Sequence, residues 1–337
     1  MKKWYENKSD YDNIIVSTSV RLARNIEKYP FPARLDENTA VRICSEVKDA
    51  ADRAEGLNLM YLDMQDLSVK QCVALAERNL ISPDFASPKK GRALLVSEDE
   101  SISVMINEHD HIRIQVMKSG LEPDEAYYVA DKIDDVFDQS FKYAFDDKLG
   151  YLTELPTNLG TGMKASVNLQ LPAISKCGQI SKLASTVSKL GLSLRSAYGD
   201  SISSGYDIYK LSNQVTLGIS EQTAIDNLKA IAMQIATQER HTSESLVKNL
   251  SVMDEIQRAY AVLSSARLLT TSEMLKLFSL VRLGAENGIV KVDVTKLNEL
   301  TQTLQPATLS VSNGGDIPSS QRDEIRAKTV REQLFDS

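Results

Sequence analysis

Cysteine and histidine are both scarce, three of each in 337 residues. Cys44, Cys72 and Cys177 show neither a CxxC pair nor zinc-ligand spacing. An odd, scattered set suits buried thiols in a reducing cytosol better than a disulfide framework. Glycine (15) and proline (9) are too sparse for a collagen-like or linker-like chain. No apolar run approaches the ~20 residues of a membrane-spanning helix. No apolar stretch follows Lys2 and Lys3, so a secretory leader is not expected and a cytoplasmic location is. The net charge of −7 argues against generic nucleic-acid binding, which needs a basic face. What remains is the composition of a soluble globular protein, 42% hydrophobic and 25% charged. At roughly 150 residues per domain, the length predicts about two domains.

Asp36 is a plausible N-cap for a helix to about Glu55, with Ala40, Cys44, Val47, Ala51 and Ala54 on one face. From Arg92 the pattern shortens. Ala93 to Val96, Ser101 to Asn107 and His111 to Met117 read as neighbouring antiparallel strands joined by acidic turns. Glu122 to Phe141 reads as a helix. After the polar segment Leu155 to Gly162 come a strand from Ala165 to Leu171, a helix from Ala173 to Leu190 and a strand from Leu192 to Ala197. A Gly- and Ser-rich loop, Tyr198 to Gly205, leads to strands Tyr206 to Ser212 and Gln214 to Leu217. Ser220 then caps a helix to about Arg240. This layout is α+β, an antiparallel sheet with covering helices. Beyond His241 the chain turns helical: Ser251 to Arg267, then a helix opened by the capping box Thr270-x-x-Glu273. Gln302 to Ile317 reads as irregular, and Ser320 caps a last helix to Leu334. The expected boundary lies between residues 238 and 250, giving domains 1–240 and 241–337.

Pro156-Thr157-Asn158-Leu159-Gly160-Thr161 resembles the signature loop of the ATP:guanido phosphotransferases, the creatine and arginine kinase family, whose pattern is Cys-Pro-Thr-Asn-x-Gly-Thr. Three further segments agree in order. Ser17-Thr18-Ser19-Val20-Arg21 resembles the family's Ser-x-Arg-x-Arg phosphate grip. Asn107-Glu108-His109-Asp110-His111-Ile112-Arg113 resembles Asn-Glu-Glu-Asp-His-x-Arg. Ser212-Asn213-Gln214 with Leu217-Gly218 resembles a late Ser-Asn-x-x-x-Leu-Gly strand. Leu22-Ala23-Arg24-Asn25, Leu80-Ile81-Ser82-Pro83, Gly150-Tyr151-Leu152-Thr153 and Ile208-Tyr209 are similar to the bacterial protein-arginine kinases of that family. So is the tail Arg322-Asp323-Glu324-Ile325-Arg326-Ala327, which resembles that subfamily's phosphoarginine-binding motif Arg-Asp-x-x-Arg-Ala.

The resemblance implies a guanido-kinase catalytic domain followed by a small all-helical domain. It implies ATP and Mg2+ as reactants and cofactor, and arginine side chains of proteins as acceptors. The nucleotide-binding positions it implies are Ser17, Thr18, Ser19, Val20, Arg21, Asn79, Arg113, Lys164, Ala165, Ser166, Val167, Asn168, Arg195, Ser196, Ala197, Tyr198 and Gly199. The acceptor positions are Glu108, His109, Leu155 and Asp200, and the phosphoarginine positions are Arg322, Asp323, Arg326 and Ala327. Partners implied in the same way are protein substrates or phosphoarginine proteins, the Clp protease machinery, a stress-gene repressor and a second copy of the chain. Neither nucleic acid nor membrane is expected. Arginine suits a phosphate cage because its planar fork binds bidentately and keeps its charge. Arg326 follows Arg322 by four residues, on one helical face, so the two converge.

Several positions depart from the family pattern. Ser19 stands where the first cage arginine belongs. Lys164 replaces an arginine and Asn79 a histidine. His109 replaces the second glutamate, the family's principal carboxylate for the guanidinium. Asp200 replaces another glutamate, Ser201 a glycine, and Leu155 the reactive cysteine. A positioned acid or base contributes roughly 10²–10⁴-fold, so the expectation is a damaged active site. Two readings stand: an impaired protein-arginine kinase, or a non-catalytic phosphoarginine-binding adaptor. His109 and His111 would share a face if they lay on a strand, with Glu108 and Asp110 beside them, but no third ligand has the spacing a zinc site needs. No metal ligands are assigned.

Overall fold

The computed structural model describes residues 2–9, 13–54, 56–197 and 206–335. Its frame is an eight-stranded antiparallel sheet in the order β2-β3-β4-β5-β1-β8-β10-β9. The strands are β1 (Ile15–Arg24), β2 (Leu59–Asp63), β3 (Ala93–Ser97), β4 (Ile102–Ile106), β5 (Ile112–Ser119), β8 (Met163–Gln170), β9 (Leu192–Ser196) and β10 (Ile208–Asn213). A two-residue ribbon, β6 (Phe145–Asp146) and β7 (Gly150–Tyr151), stands apart. The α+β layout expected from the sequence is the one observed, with a largely helical C-terminal part.

Strand alternation gives this sheet two unlike faces. Val20, Leu22, Ile114, Val116, Ala165, Val167, Tyr209 and Leu211 belong to one buried apolar cluster. The helices α1 (Glu37–Asp52), α3 (Pro123–Asp138), α5 (Ile180–Ser188) and α6 (Glu221–Leu246) supply the rest of that layer, through residues such as Ile43, Ile133, Leu183 and Leu228. The intervening positions are polar: Ser19 and Arg21 on β1, Arg113 and Gln115 on β5, Lys164, Ser166 and Asn168 on β8, Lys210 and Ser212 on β10. Toward β3 and β4 this second face is closed by α2 (Val69–Glu77), whose Cys72 and Leu75 pack with Leu94, Val96 and Met105. Over β1, β8 and β10 it is lined by polar groups, and that is where the candidate site lies.

The C-terminal part comprises α7 (Leu250–Ser265), α8 (Thr271–Glu286), α9 (Val294–Thr303), α10 (Pro306–Ser312) and α11 (Ser319–Leu334), around a core that includes Leu263, Phe278, Leu297 and Val330. Residue 240, the expected boundary, falls inside the unbroken helix α6. The two parts are clasped at Glu77. One of its oxygens accepts from the Ala307 amide at 3.0 Å, the other from the amide and hydroxyl of Thr308 at 2.7 and 2.9 Å. Those amides are the unpaired donors at the start of α10, so one carboxylate satisfies them across the junction.

Four local expectations need correction. The helix expected from Ala173 to Leu190 is two helices, α4 (Pro172–Lys176) and α5; Gly178, at φ +69°, ends the first in a left-handed conformation. Gln214 to Leu217 is not a strand. Asn213 donates its side-chain amide to the carbonyls of Met163 and Val215 and accepts from Ala165 N–H, which turns the chain out of the ladder. Gln302 to Ile317 is not irregular: it holds the end of α9 and all of α10, with Pro306 at the first turn where its missing N–H costs nothing. Finally, Cys177 is exposed, whereas Cys44 and Cys72 are buried.

Candidate active site

The turn between β4 and β5 carries Glu108 and His109, and its shape follows from its neighbours. Asn107 sits at φ +60°, a left-handed conformation asparagine tolerates, and its amide closes the turn onto the His111 carbonyl at 3.0 Å. Asp110 accepts from the Asn25 side chain at 2.6 Å and from the Glu154 amide at 2.9 Å. His111 is wholly buried: Nδ1 accepts from Ile26 N–H at 3.0 Å and Nε2 donates to the Pro30 carbonyl at 2.9 Å. Burial pushes its pKa down to about 4, so the ring is neutral. The idea that His109 and His111 share a strand face is therefore overturned. They lie on a turn, and both His111 nitrogens are engaged by backbone. Among the described residues no three His, Cys, Asp or Glu side chains gather in a metal-binding group.

The Glu154 contact also joins this turn to the Leu155–Thr161 loop. That loop is pressed against the segment after β10: Thr161 N–H donates to the Thr216 carbonyl at 3.0 Å and the Thr216 hydroxyl donates to Thr157 O at 3.1 Å. Gly160 is required there. It has φ +102°, and a Cβ would stand 2.1 Å from the Thr216 oxygen.

Glu108 is 6% exposed and fully engaged. Arg113 Nη1 reaches one oxygen at 2.5 Å, His109 N–H donates to the same oxygen at 3.0 Å, and the Ser82 hydroxyl donates to the other at 2.6 Å. Burial alone would raise its pKa. The Arg113 charge and these hydrogen bonds outweigh burial and hold it at about 2, so the carboxylate is ionised. His109 is half-exposed, with Nε2 3.8 Å from Glu108 and 3.9 Å from Asp84.

Two cavities open on the polar face and share Arg21. The larger, about 440 Å³, is lined by Ser19, Asn79, Ser82, Gln115, Asn168, Ala197 and Lys210, with Glu77 and Gln305 at the interdomain side. The smaller, about 190 Å³, is lined by Glu108, His109, Arg113, Leu155, Asn158 and Lys164. The Arg21 guanidinium pKa is lowered by burial and then by Arg113, and Lys164 is lowered by burial, then by Arg21 and Arg195. These cations repel one another across a half-buried surface. Among the described residues, three buried atoms on the same face have no partner: Arg21 Nε, Ser166 Oγ and Asn168 Oδ1. Unpaired donors, an unpaired acceptor and clustered positive charge fit a polyanionic ligand.

The strand register brings the expected nucleotide positions together. Arg21 lies opposite Lys164 on β8 and Gln115 on β5; Ser19 lies opposite Ser166. Arg195, exposed on β9, lies opposite Lys210. Thr18, Val20, Ala165 and Val167 belong to the same segments but turn their side chains to the packed face: Thr18 donates its hydroxyl to Gly120 O, and the other three join the core. Ser17 accepts from Asn168 at 2.9 Å. Ser196 follows Arg195 at the end of β9. Tyr198, Gly199, Asp200 and Ser201 lie outside the described residues. Lys210 was missed by motif reading. The only signal for it was alternation, Tyr209 and Leu211 facing the core on either side.

In the tail, Arg326 is 1% exposed. Its Nε donates to Leu304 O at 3.0 Å, and Nη1 donates to Leu269 O at 2.7 Å and to Asp323 at 2.6 Å. Arg322 donates to Ile317 O, and Ala327 packs in the helical core. Convergence of Arg322 and Arg326 on a shared phosphoarginine pocket was expected. Instead Arg326 is turned inward to tie α9, the α7–α8 connection and α11 together.

Comparison with known proteins agrees with this geometry. Residues 42–242 match the family described as ATP:guanido phosphotransferase, C-terminal catalytic domain. Residues 249–337 match the protein-arginine kinase McsB C-terminal domain. The chain is 40% identical to a protein-arginine kinase from Caldanaerobacter subterraneus over 96% of its length and 98% of that protein's. It is 41% identical to one from Clostridium kluyveri over 99% of both. Among solved structures, the duplicated taurocyamine kinase of Schistosoma mansoni superposes with a TM-score of 0.63 at 23% identity, covering 80% of this chain and 40% of that one. A lombricine kinase superposes at 0.59 and 22% identity, over 68% of this chain and 67% of that one. These two likenesses speak to the fold.

Proposed function

Because the chain belongs to the ATP:guanido phosphotransferases, and within them to the protein-arginine kinases, we propose that it transfers the γ-phosphoryl group of ATP to arginine side chains of proteins, slowly. The observation that carries this is the pair of cavities meeting at Arg21. Phosphoryl transfer needs positioning and charge neutralisation more than covalent help from the protein. The nucleotide occupies the larger cavity, its phosphates on Arg21, Arg113, Lys164 and Arg195. The acceptor guanidinium enters the smaller one against Glu108, whose ionised carboxylate fixes its orientation. Asp200 is the second acidic residue offered to the acceptor. Arg21, on both walls, is where the transferred group crosses.

Magnesium suits the site as a companion of the phosphates, since it is commonly bound through one or two carboxylates plus substrate phosphates. Glu108 is already engaged by Arg113, Ser82 and the His109 amide, so the ion would be held by the nucleotide phosphates and water and would neutralise charge on the phosphate oxygens. The slowness comes from the acceptor side. His109 can take up the guanidinium proton at a ring nitrogen but offers no two-oxygen clamp, and Leu155, 40% exposed, supplies neither charge nor hydrogen bond.

The test is acid-labile, base-stable phosphate formed on an arginine-rich protein with MgATP. The expected result is slow labelling that Arg21→Met reduces at least about 100-fold. Labelling unaffected by Arg21→Met contradicts the assignment. The rival reading, a non-catalytic phosphoarginine adaptor, is favoured by His109 and Leu155 in the acceptor cavity, and it leaves Arg322 and Asp323 as the accessible tail groups. It predicts no labelling, together with phosphoarginine binding abolished by Asp323→Ala. A cytoplasmic setting, a homodimer, and Clp protease or stress-gene repressor partners belong to the same proposal.

A further inference from the structure

We propose that Lys210 is a direct ligand of the nucleotide phosphates, supplying from β10 the positive charge that β1 does not carry at Ser19. This rests on the larger cavity being the nucleotide site.

Alternation sends Lys210 to the polar face, since Tyr209 and Leu211 are buried at 1% and 0% exposure in the core behind it. Register sets it between Asn168 on β8 and Arg195 on β9. Its side chain lines the same cavity wall as Ser19, Arg21 and Asn168. No described residue gives its ammonium a hydrogen bond or an ion pair. Among the described residues, the charged groups facing it are the cations Arg21 on β1, Arg113 on β5, Lys164 on β8 and Arg195 on β9. Glu108 is paired to Arg113, and Glu77, the carboxylate on the cavity wall from α2, is spent on the start of α10.

A folded protein does not gain by pointing an unpaired lysine at other cations; an anion makes that arrangement favourable. The partnerless Arg21 Nε and Asn168 Oδ1 on the same wall are an independent sign of a missing ligand. Ser19, on the wall of the same cavity, is short and carries no charge. Burial first, then Arg21, Arg113 and Lys164, push the Lys210 pKa down to about 7. Arriving phosphates raise it again, so nucleotide binding near pH 7.5 takes up protons at this residue.

The experiment is titration calorimetry of the full chain with MgADP at pH 7.5, in Pipes and in Tris. The two buffers' ionisation enthalpies report proton uptake. Lys210→Met is expected to weaken binding about ten- to a hundredfold, the range of one charge-assisted contact. Lys210→Arg is expected to bind within a few-fold of the unaltered chain but with less proton uptake, because arginine stays charged. Without nucleotide, Lys210→Met is expected to melt no lower than the unaltered chain, since it removes repulsion. Equal affinity and equal proton uptake in all three proteins overturns the role of Lys210 alone. No MgADP binding by the unaltered chain overturns the nucleotide cavity, and Lys210 with it.

Discussion

Glu108→Gln removes a charge while keeping shape, so it isolates what the ionised carboxylate does for the fold. In the structure that carboxylate is buried and receives Arg113, Ser82 and the His109 amide. Its pKa is held at about 2 against an ordinary 4.5. Because the folded value is depressed, its contribution is fully present above about pH 4.5 and is lost as pH falls through about 2. The fall from 4.5 to about 2 corresponds to about 3 kcal/mol at neutral pH. Urea unfolding of both proteins between pH 7 and pH 2.5 measures the gap. It should be about 3 kcal/mol at pH 7, shrink steadily below pH 4.5 and fall to roughly a quarter of that by pH 2.5. Groups distant from the site cancel in the difference. A gap that is constant with pH, or absent at pH 7, refutes the ionised, clamped carboxylate.

Restoring the acceptor pocket with His109→Glu and Leu155→Cys together should raise phosphoryl transfer about 100-fold or more, read as acid-labile phosphate per minute. Glu77→Ala leaves the donors of Ala307 and Thr308 unpaired. It should cost about 1–3 kcal/mol of stability and speed protease cleavage near residues 304–308. Gly160→Ala should destabilise by more than about 1 kcal/mol, visible in thermal unfolding, and should lower transfer by shifting the Leu155 loop, since its Cβ would meet the Thr216 carbonyl.

Sequence periodicity was enough for α1, α3 and the β3–β5 meander, because each has one buried face and its apolar spacing states which. It failed where a single residue overrides the pattern. Gly178 breaks an otherwise continuous apolar period, and Asn213 uses its side chain to end β10 although alternation continues. Gln302 to Ile317 reads as irregular from its composition, yet Pro306 opens α10 and Gly314-Gly315 follow its end. Motifs gave the site's cations because each lies in a recognisable segment. Lys210 has no motif: a lysine between two apolar strand residues looks like a solvated side chain until the register sets it between Asn168 and Arg195 on the cavity wall. In the tail, the four-residue spacing of Arg322 and Arg326 did not show the inward turn of Arg326, because its burial among the carbonyls of Leu304 and Leu269 follows from packing between distant helices.

The central claim is that phosphate passes from ATP to arginine at Arg21. Phosphorus NMR of the unaltered chain with MgATP and an arginine-rich protein tests it directly. The account predicts slow growth of a phosphoarginine resonance matched by loss of the ATP γ-signal, and growth at least about 100-fold faster after His109→Glu with Leu155→Cys. Saturating MgATP binding with no phosphoarginine signal from either protein contradicts it.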